Sequence, residues 1–577
     1  MRRIAGKSLL LWSCFLLLLA YQSTGILPYC AFECDGTAIA CGSMQLSMAG
    51  WDPPVLWYRY DAQPGTYAIA RMLHSSLGWD TLASLSLLGA MAAASFALFA
   101  AALVHRITRL SYPAAGLVVL SFQEVATAAY YVNSNVFAGG FAIPALYLAT
   151  RAEESRSPWA ITLWVGLLLG LAGWMRSDVA LIAPTCLFLF HRSSWRNAAI
   201  HTALAGICAL MVFQILFHWS GGRLSNLIGF TQGHMVFESV GTPNLGIPWL
   251  GSTDIKSHIA FFSALNLLWI FWGVARLICS GSWRILAFCL AGFLPLYGIY
   301  FGHLTTPKYL YYTVPFLACL AGTGILAIWN ASRPWRRAGV ALSLLLLVGQ
   351  YGLGLRVSFR SKPWVKDPPL VLVRIFSTGE RGGRISKASL VLGSGSIVNT
   401  DDEHRLPSGS LFFPSAWRYQ KTLQNRSFGK LEDYLETLPS ERISLITGAS
   451  RGWRILMYLL LKNGYTCIDA EENHLPFPEP PLYRSNWHRH DRIVELVYRD
   501  CGGRTWEDLN AALSMDLRGH KIYVVDRGWE ETMFMEHAEP ARKICGFTDI
   551  YMLAAYDLME SPVVETQEIL LERQVDR

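Results

Sequence analysis

Long apolar stretches recur from Ser8 to about Arg356 and then stop, and no other feature limits the fold so strongly. A bilayer core demands about 20 apolar residues per helix, because every backbone polar group inside it has to be satisfied within the segment. Eleven segments approach that length: 8–27, 81–104, 112–132, 135–150, 158–175, 177–191, 197–218, 257–278, 285–302, 309–329 and 338–356. The fourth and sixth are short. The fifth and sixth nearly touch at Arg176-Ser177-Asp178, which leaves a tight re-entrant hairpin as the alternative for that pair. With 52% of its 577 residues apolar and only 16% charged, the chain does not read as a soluble enzyme. The expected architecture is a polytopic α-helical membrane domain of about 11 spans over 1–356, followed by a soluble α/β domain over 357–577.

Charge sets the orientation. With the N-terminus in the cytoplasm, the short inner segments hold fourteen basic residues, from Arg2, Arg3 and Lys7 to Arg333, Arg336 and Arg337. The longer outer segments hold six before the last span: Arg59, Arg71, Arg176, Arg223, Lys256 and Lys308. The positive-inside rule favours that arrangement, and an odd span count then puts residues 357–577 outside. The first loop (28–80) and the loop 219–256 lie outside as well. The N-terminal MRRIAGKSLLLWSCFLLLLA has the look of a secretory signal, but no small-x-small cleavage site follows it, and Tyr29 is too large for a lipoprotein box at LPYC. A retained first span is the reading adopted, in a plasma (inner) membrane, with an endoplasmic-reticulum membrane as the alternative.

Of twelve cysteines, Cys14, Cys186, Cys208, Cys279, Cys289 and Cys319 lie in or near spans and read as small apolar residues. Cys30, Cys34, Cys41, Cys467, Cys501 and Cys545 fall in outer segments, where disulfides form. Beyond Pro363, strands are expected at 389–395, 442–448, 466–470, 492–498, 521–526 and 550–556, separated by helical stretches such as WRILMYLLLKNG, in a largely parallel sheet. TGASRG (447–452) has the form of a nucleotide-binding turn, but Arg454 stands where a further glycine is required; a plain strand-to-helix turn is the expectation. The run WHRHDR (487–492) reads as a solvated segment leading into a strand rather than a metal site.

The loop WDPPVLWYRYDAQPGTYAIARMLH (51–74) carries the first candidate chemistry. A carboxylate just outside a membrane acts as general base when it meets an acceptor hydroxyl beside a lipid-linked donor, and Asp61 is placed for that. The helical continuation with Tyr67, Ile69, Met72 and Leu73 is expected to lie at the interface, with Trp51, Trp57, Tyr58 and Tyr60 as amphipathic rings or sugar-stacking surfaces. A solvated aspartate beside an aromatic belt is the plainer reading of the same residues. Glu124, inside the third span, is expected to face a cavity or a partner rather than lipid. Loop 219–256, with His234, Glu238, Asn244, Asp254 and Lys256, is long enough for a lid.

In order along the chain, RYDAQPGTYAIARML, GLAGWMRSDVALIAPTCLFL and TPKYLYYTVPFLACLAG resemble three segments of the GT-C superfamily of integral-membrane glycosyltransferases, and within it the protein mannosyltransferase and aminoarabinose transferase group. The resemblance covers the first 356 residues. It implies transfer of a sugar from a polyprenyl-phosphate donor to a glycan, lipid or protein acceptor outside the cytoplasm, with Asp61 as the catalytic base. Arg176, Lys308 and Arg59 become candidates for the donor phosphate, since cations stabilise the charge that develops on the leaving group. Asp178 is placed to orient Arg176, and Asp52, Gln63, Asp178, Tyr60 and Tyr309 are substrate-binding candidates; Tyr311 and Tyr312 share the role proposed for Tyr309, with an interface anchor as the alternative for each. The chain departs from the pattern where Asp61 is followed by Ala62, with Asp52 nine positions earlier, and where VNSNVF puts Asn133 and Asn135 in place of a further acid. So few carboxylates suit a divalent cation poorly, and neither metal nor other cofactor is expected. No nucleic-acid partner is expected. A multi-span transporter or flippase, and a non-catalytic scaffold with a glycan-binding outer domain, are the rival readings; no clear internal repeat supports the transporter.

Overall fold

A computed structural model describes residues 12–20, 39–44, 63–78, 81–122, 134–190, 194–222, 264–300, 307–330, 334–343, 443–447, 452–470, 482–490, 492–499, 521–526 and 552–557, with a few single positions between them. The helical part contains α1 (Pro64–Leu77), α2 (Thr81–Thr108), α3 (Tyr112–Leu120), α4 (Ser134–Ala149), α5 (Pro158–Met175), the short α6 (Cys186–Leu189), α7 (Trp195–Trp219), α8 (Ala264–Cys279), α9 (Trp283–Tyr300) and α10 (Val314–Trp329). Four segments are long and apolar enough to cross a membrane: Ser84–Thr108, Pro158–Met175, Trp195–Trp219 and Leu310–Trp329. Shorter apolar helices accompany them at Ser134–Ala149, Ser177–Leu189, Asn266–Cys279 and Trp283–Gly298. The helix α2 is mostly enclosed by its neighbours, whereas α7 turns Ile207, Met211 and Ile215 outward. Outward-facing aliphatics on a long helix are what a lipid environment demands, since water would not tolerate so wide an apolar surface.

The elements start where local chemistry requires. Proline opens α1 and α5, where its missing N–H is an orphan in any case, and α1 stops at Gly78, whose φ of 64° is readily adopted without a Cβ. The segment after α5 is unusual. Residues Ser177–Leu181 and Ala183–Thr185 are 3₁₀ turns, and only Cys186–Leu189 is α-helical. A 3₁₀ helix rises about 2.0 Å per residue against about 1.5 Å for α, so a short segment reaches further. Arg176 sits beside the start of α4, while Phe188 and Phe190 offer their carbonyls to Arg284 at the start of α9, at 3.0 and 2.9 Å. The sixth segment therefore runs from one end of the bundle to the other, and the re-entrant hairpin is not formed.

Those contacts define two ends. At one, Arg106 donates to Glu154 and to the carbonyl of Thr150, Arg151 meets Glu154 at 3.0 Å, Arg284 stacks 4.5 Å from the Trp195 ring, and Arg337 donates to the carbonyl of Trp329. These are the arginines that the charge count assigns to inner segments. The opposite end gathers the starts of α1 and α4, the end of α5 and the turn before α10.

The helices α8 and α10 approach each other closely. A Cβ on Gly273 would lie 1.9 Å from the Leu320 carbonyl oxygen, and one on Gly324 would lie 2.0 Å from that of Trp269. Small residues at such crossings let backbones approach and gain dispersion contacts that lipid cannot replace. Between α3 and α8, Asn266 donates to Ser121 Oγ at 2.8 Å, a buried polar tie in an apolar surround.

The C-terminal part is a six-stranded sheet in the order β2-β3-β4-β1-β5-β6, made of β1 (Ile443–Thr447), β2 (Thr466–Ala470), β3 (Leu482–Arg489), β4 (Arg492–Arg499), β5 (Lys521–Asp526) and β6 (Met552–Asp557), with α11 (Gly452–Lys462) between β1 and β2. Five of the six expected strands are present within a residue or two; 389–395 and the Thr447-to-Gly452 turn residues 448–451 lie outside the described residues. The sheet is mixed rather than largely parallel: β1 pairs in parallel with β4 and β5, and the other three pairings are antiparallel. The reason is β3. The stretch expected as a solvated lead-in is itself a strand, which reverses after His490 into β4, and a connection of two residues in the sequence permits only antiparallel pairing. His490 takes a φ of 53° to make that reversal.

Candidate functional site

Gln63 precedes α1 with its backbone in a non-helical conformation, and its side chain is almost wholly buried. Two elements away, Ser134 opens α4 and donates its hydroxyl to Gln63 Oε1. Arg176 reaches the same hydroxyl with a terminal nitrogen at 3.2 Å and donates from Nε to Asp178 Oδ2 at 2.8 Å. The local backbone explains the reach: α5 ends at Arg176, which is extended (φ −163°, ψ 121°), and the chain then tightens into the 3₁₀ turn carrying Asp178. Arginine and aspartate two residues apart would point in different directions on a regular helix; the extended corner brings them onto one side.

Burial makes this pair costly to leave incomplete. The side chains of Arg176 and Asp178 retain only 12% and 15% of their exposure. A charge so placed needs partners for each of its donors, and Ser134 supplies one of them. Around it, Thr66 donates to the Met175 carbonyl at 3.3 Å and satisfies an end group of α5. A Cβ on Gly65 would meet the Trp174 ring at 2.6 Å, so α1 can seat against α5 only with glycine there. Trp174 in turn donates from its indole nitrogen to Ser220 at the end of α7, at 3.1 Å.

One residue beyond Ser134, Asn135 is fully buried and accepts from the Tyr312 hydroxyl at 3.2 Å. Its Nδ2 has no hydrogen-bond partner among the described residues, and neither has the Tyr311 hydroxyl. Tyr311 stacks on Phe96 with centroids 3.9 Å apart. Buried polar atoms are satisfied in the great majority of cases, so each of these two orphans marks a point where a polar partner would be stabilised.

Of the residues expected from sequence, the fold thus brings Gln63, Arg176 and Asp178 into one hydrogen-bonded cluster. Lys308 and Tyr309 fall on the 3₁₀ turn Pro307–Thr313, directly before Tyr311 and Tyr312. Asp61, Asp52, Arg59, Tyr60, Glu124 and the loop residues His234, Glu238, Asn244, Asp254 and Lys256 lie outside the described residues. Tyr67 is a correction: it is not at an interface but about 1% exposed in the core, because α1 packs against α2 and α5 with its first two turns buried. Met72 on the next turn does face outward. Sequence reasoning missed Ser134 as the joint of the cluster; the signal available was the polar run VNSNVF at the head of an apolar segment.

These observations define a multi-pass integral membrane protein whose helical bundle carries a buried, partly charged polar cluster at one end. No protein-family model matches the chain, and no curated protein matches it. Among solved structures, ArnT from Cupriavidus metallidurans bound to undecaprenyl phosphate is similar at 12% identity, over 95% of this chain and 98% of that one, with a TM-score of 0.49. The apo state of the same protein gives 13% identity over 96% and 98%, with a TM-score of 0.47. The archaeal oligosaccharyltransferase AglB from Archaeoglobus fulgidus, in complex with an inhibitory peptide and a dolichol-phosphate, gives 11% identity over 79% and 64%, with a TM-score of 0.42. All three scores lie below the level from which a common fold follows.

Proposed function

We propose that this chain is a GT-C-like glycosyltransferase that moves a sugar from a polyprenyl-phosphate donor to an acceptor on the extracytoplasmic side of the membrane. The observation that carries the reading is the Gln63–Ser134–Arg176–Asp178 cluster. It holds a guanidinium, nearly buried yet oriented by a carboxylate, at the end of the bundle opposite the arginine-rich one, and Asp61 lies two residues before Gln63 in the chain. A fixed guanidinium in a low-dielectric rim suits a departing phosphate, because it needs no reorganisation as charge develops.

In this reading Asp61 takes the proton of the acceptor hydroxyl as it attacks the anomeric carbon, and the C–O bond to the polyprenyl phosphate breaks with its electron pair on the phosphate. Arg176, Lys308 and Arg59 stabilise that phosphate; Asp178 orients Arg176. Gln63, Asp52, Tyr60 and Tyr309 contact the sugar or acceptor. The N-terminus is cytoplasmic, residues 1–356 form the membrane domain, and 357–577 lie outside, where they are available to an acceptor.

The test is product analysis by mass spectrometry after incubating the purified chain with a panel of lipid-linked sugars. Asp61→Asn is expected to abolish turnover while donor binding persists. Full transfer by that variant, or solute movement in sealed vesicles without any product, would overturn the reading in favour of a scaffold or a transporter.

A further inference from the structure

Four uncharged polar side chains at the end of the bundle opposite the arginine-rich one are not used by the Arg176 cluster. Thr81 and Ser84 at the start of α2, Asn135 at the start of α4 and Tyr311 on the 3₁₀ turn before α10 are each between 0% and 3% exposed. Thr81 Oγ1, Ser84 Oγ, Asn135 Nδ2 and the Tyr311 hydroxyl have no hydrogen-bond partner among the described residues. Packing brings them towards one another. Asn135 and Gly139 stand about one turn apart and share a face of α4, and a Cβ on Gly139 would lie 2.7 Å from the Tyr311 ring. On α2, Ser95 donates to the Gly140 carbonyl at 3.1 Å, and a Cβ on Gly140 would lie 2.8 Å from that of Ala92. Thr81 and Ser84 precede Ala92 and Ser95 by about three turns, so they fall on the stripe of α2 turned towards α4.

Elsewhere in the bundle a buried hydroxyl closes on the carbonyl one turn earlier, as Ser43, Thr108, Thr162 and Thr323 do. Thr81 and Ser84 stand in the first turn of α2, where the helix supplies no such carbonyl, and Tyr312 engages only the Oδ1 end of the Asn135 amide. Asn135 directly follows Ser134, the hydroxyl that Arg176 reaches at 3.2 Å, so these groups adjoin the guanidinium assigned to the donor phosphate. Three of the four are hydroxyls, which both donate and accept, and the fourth is a neutral donor; together they complement the hydroxyls of a polyol. An ammonium or a carboxylate brought against the same groups would lose its water without gaining a counter-charge from them. Asp178, the carboxylate of the neighbouring cluster, is already met by Arg176 at 2.8 Å.

We propose, resting on the polyprenyl-phosphate reading above, that the transferred sugar is a neutral polyol held through its hydroxyls by Asn135, Tyr311, Ser84 and Thr81, rather than an amino sugar or a uronic acid. The full-length chain in nanodiscs is titrated by calorimetry, just below neutral pH, with farnesyl phosphate and with its glucosyl, glucosaminyl and glucuronosyl esters, one skeleton at three charges. The glucosyl ester is expected to bind about tenfold more tightly than either charged ester. Asn135→Asp introduces a carboxylate and is expected to move the preference to the glucosaminyl ester. Tyr311→Phe is expected to weaken the glucosyl ester roughly tenfold with no fall in thermal midpoint, since it removes a hydroxyl left spare in the core. Should Asn135→Asp fail to fold, Ser84→Ala serves instead, with an expected loss of about threefold for the glucosyl ester. A purely structural role would leave the ranking of the three esters unmoved. Equal binding of the esters, preference for a charged one, or the wild-type ranking in folded variants would overturn the proposal while farnesyl phosphate still binds. Failure of farnesyl phosphate and all its esters to bind would overturn the donor reading, and the proposal with it.

Discussion

Nε of Arg176 donates to Asp178 across 2.8 Å at a corner where α5 gives way to a 3₁₀ turn, and the pair keeps barely an eighth of its exposure. Removing one partner from such a pair strands the other charge in a poorly solvated place, at a cost of roughly 3 kcal/mol. Asp178→Ala is therefore expected to lower the thermal midpoint of the detergent-solubilised protein. It also frees the guanidinium to swing, so transfer activity is expected to fall by at least about tenfold with a raised KM for the donor. Unchanged midpoint and kinetics would show that the pair is incidental.

Arg176→Lys separates charge from geometry. Lysine keeps the cation but loses the fork that contacts Asp178 and Ser134 together. The expected result is folded protein with activity reduced by about one to two orders of magnitude, since contacts made in the transition state are lost. Assays with a fixed lipid-linked donor check this against the wild type.

The α8–α10 crossing predicts a sharp contrast between glycines. Gly273→Ala puts a methyl where a carbonyl oxygen lies 1.9 Å away, whereas a methyl at Gly298 meets nothing within 4 Å among the described residues. The first substitution is expected to cost about 2 kcal/mol or more, visible as loss of a monodisperse peak in size-exclusion chromatography, and the second to be silent.

The Asn266–Ser121 tie should behave as intramembrane hydrogen bonds generally do. A double-mutant cycle with Asn266→Leu and Ser121→Ala is expected to return a coupling of about 0.6 kcal/mol, with an upper bound near 2. A coupling of zero would mean that both side chains find other partners.

At the arginine-rich end, the hydrogen bond from Arg106 holds the Glu154 carboxyl below its usual range, with charge from Arg106 and Arg151 adding to it. A depressed carboxylate contributes stability that is complete above its unfolded value and is lost as the pH falls through the lowered one. Because Glu154 is about half exposed, solvent screens the effect to well under roughly 1 kcal/mol. Glu154→Gln is expected to flatten the acid side of a midpoint-against-pH curve slightly, leaving the neutral region within error.

Much of the helical part was legible in the sequence, because a bilayer imposes a length on each apolar run. Pro158–Met175 matches its expected limits, and Trp195–Trp219 lies within two residues of them. The strands at Ile443–Thr447, Thr466–Ala470 and Lys521–Asp526 were legible for a related reason, since short β-rich runs between turn residues have few other uses. Leu482–Arg489 was not, because LYRSNWHR alternates without an apolar face; it becomes a strand only when β2 and β4 supply partners on both sides and Trp487 is buried.

Arg176 and Asp178 stood out in sequence as charges at the border of apolar runs, and Gln63 by its nearness to Asp61. That they converge was decided by tertiary structure, through Ser134, more than forty positions from Arg176 in the chain. Hydropathy and charge are local properties, so the sequence by itself determined where apolar segments such as Pro158–Met175 and Trp195–Trp219 run and which stretches between them are basic. Which helix lies against which is settled by shape: the glycines at 65, 273 and 324 set how closely backbones approach, and an extended corner sets where a guanidinium points. Those are properties of pairs of distant residues, and they exist only once the chain has folded.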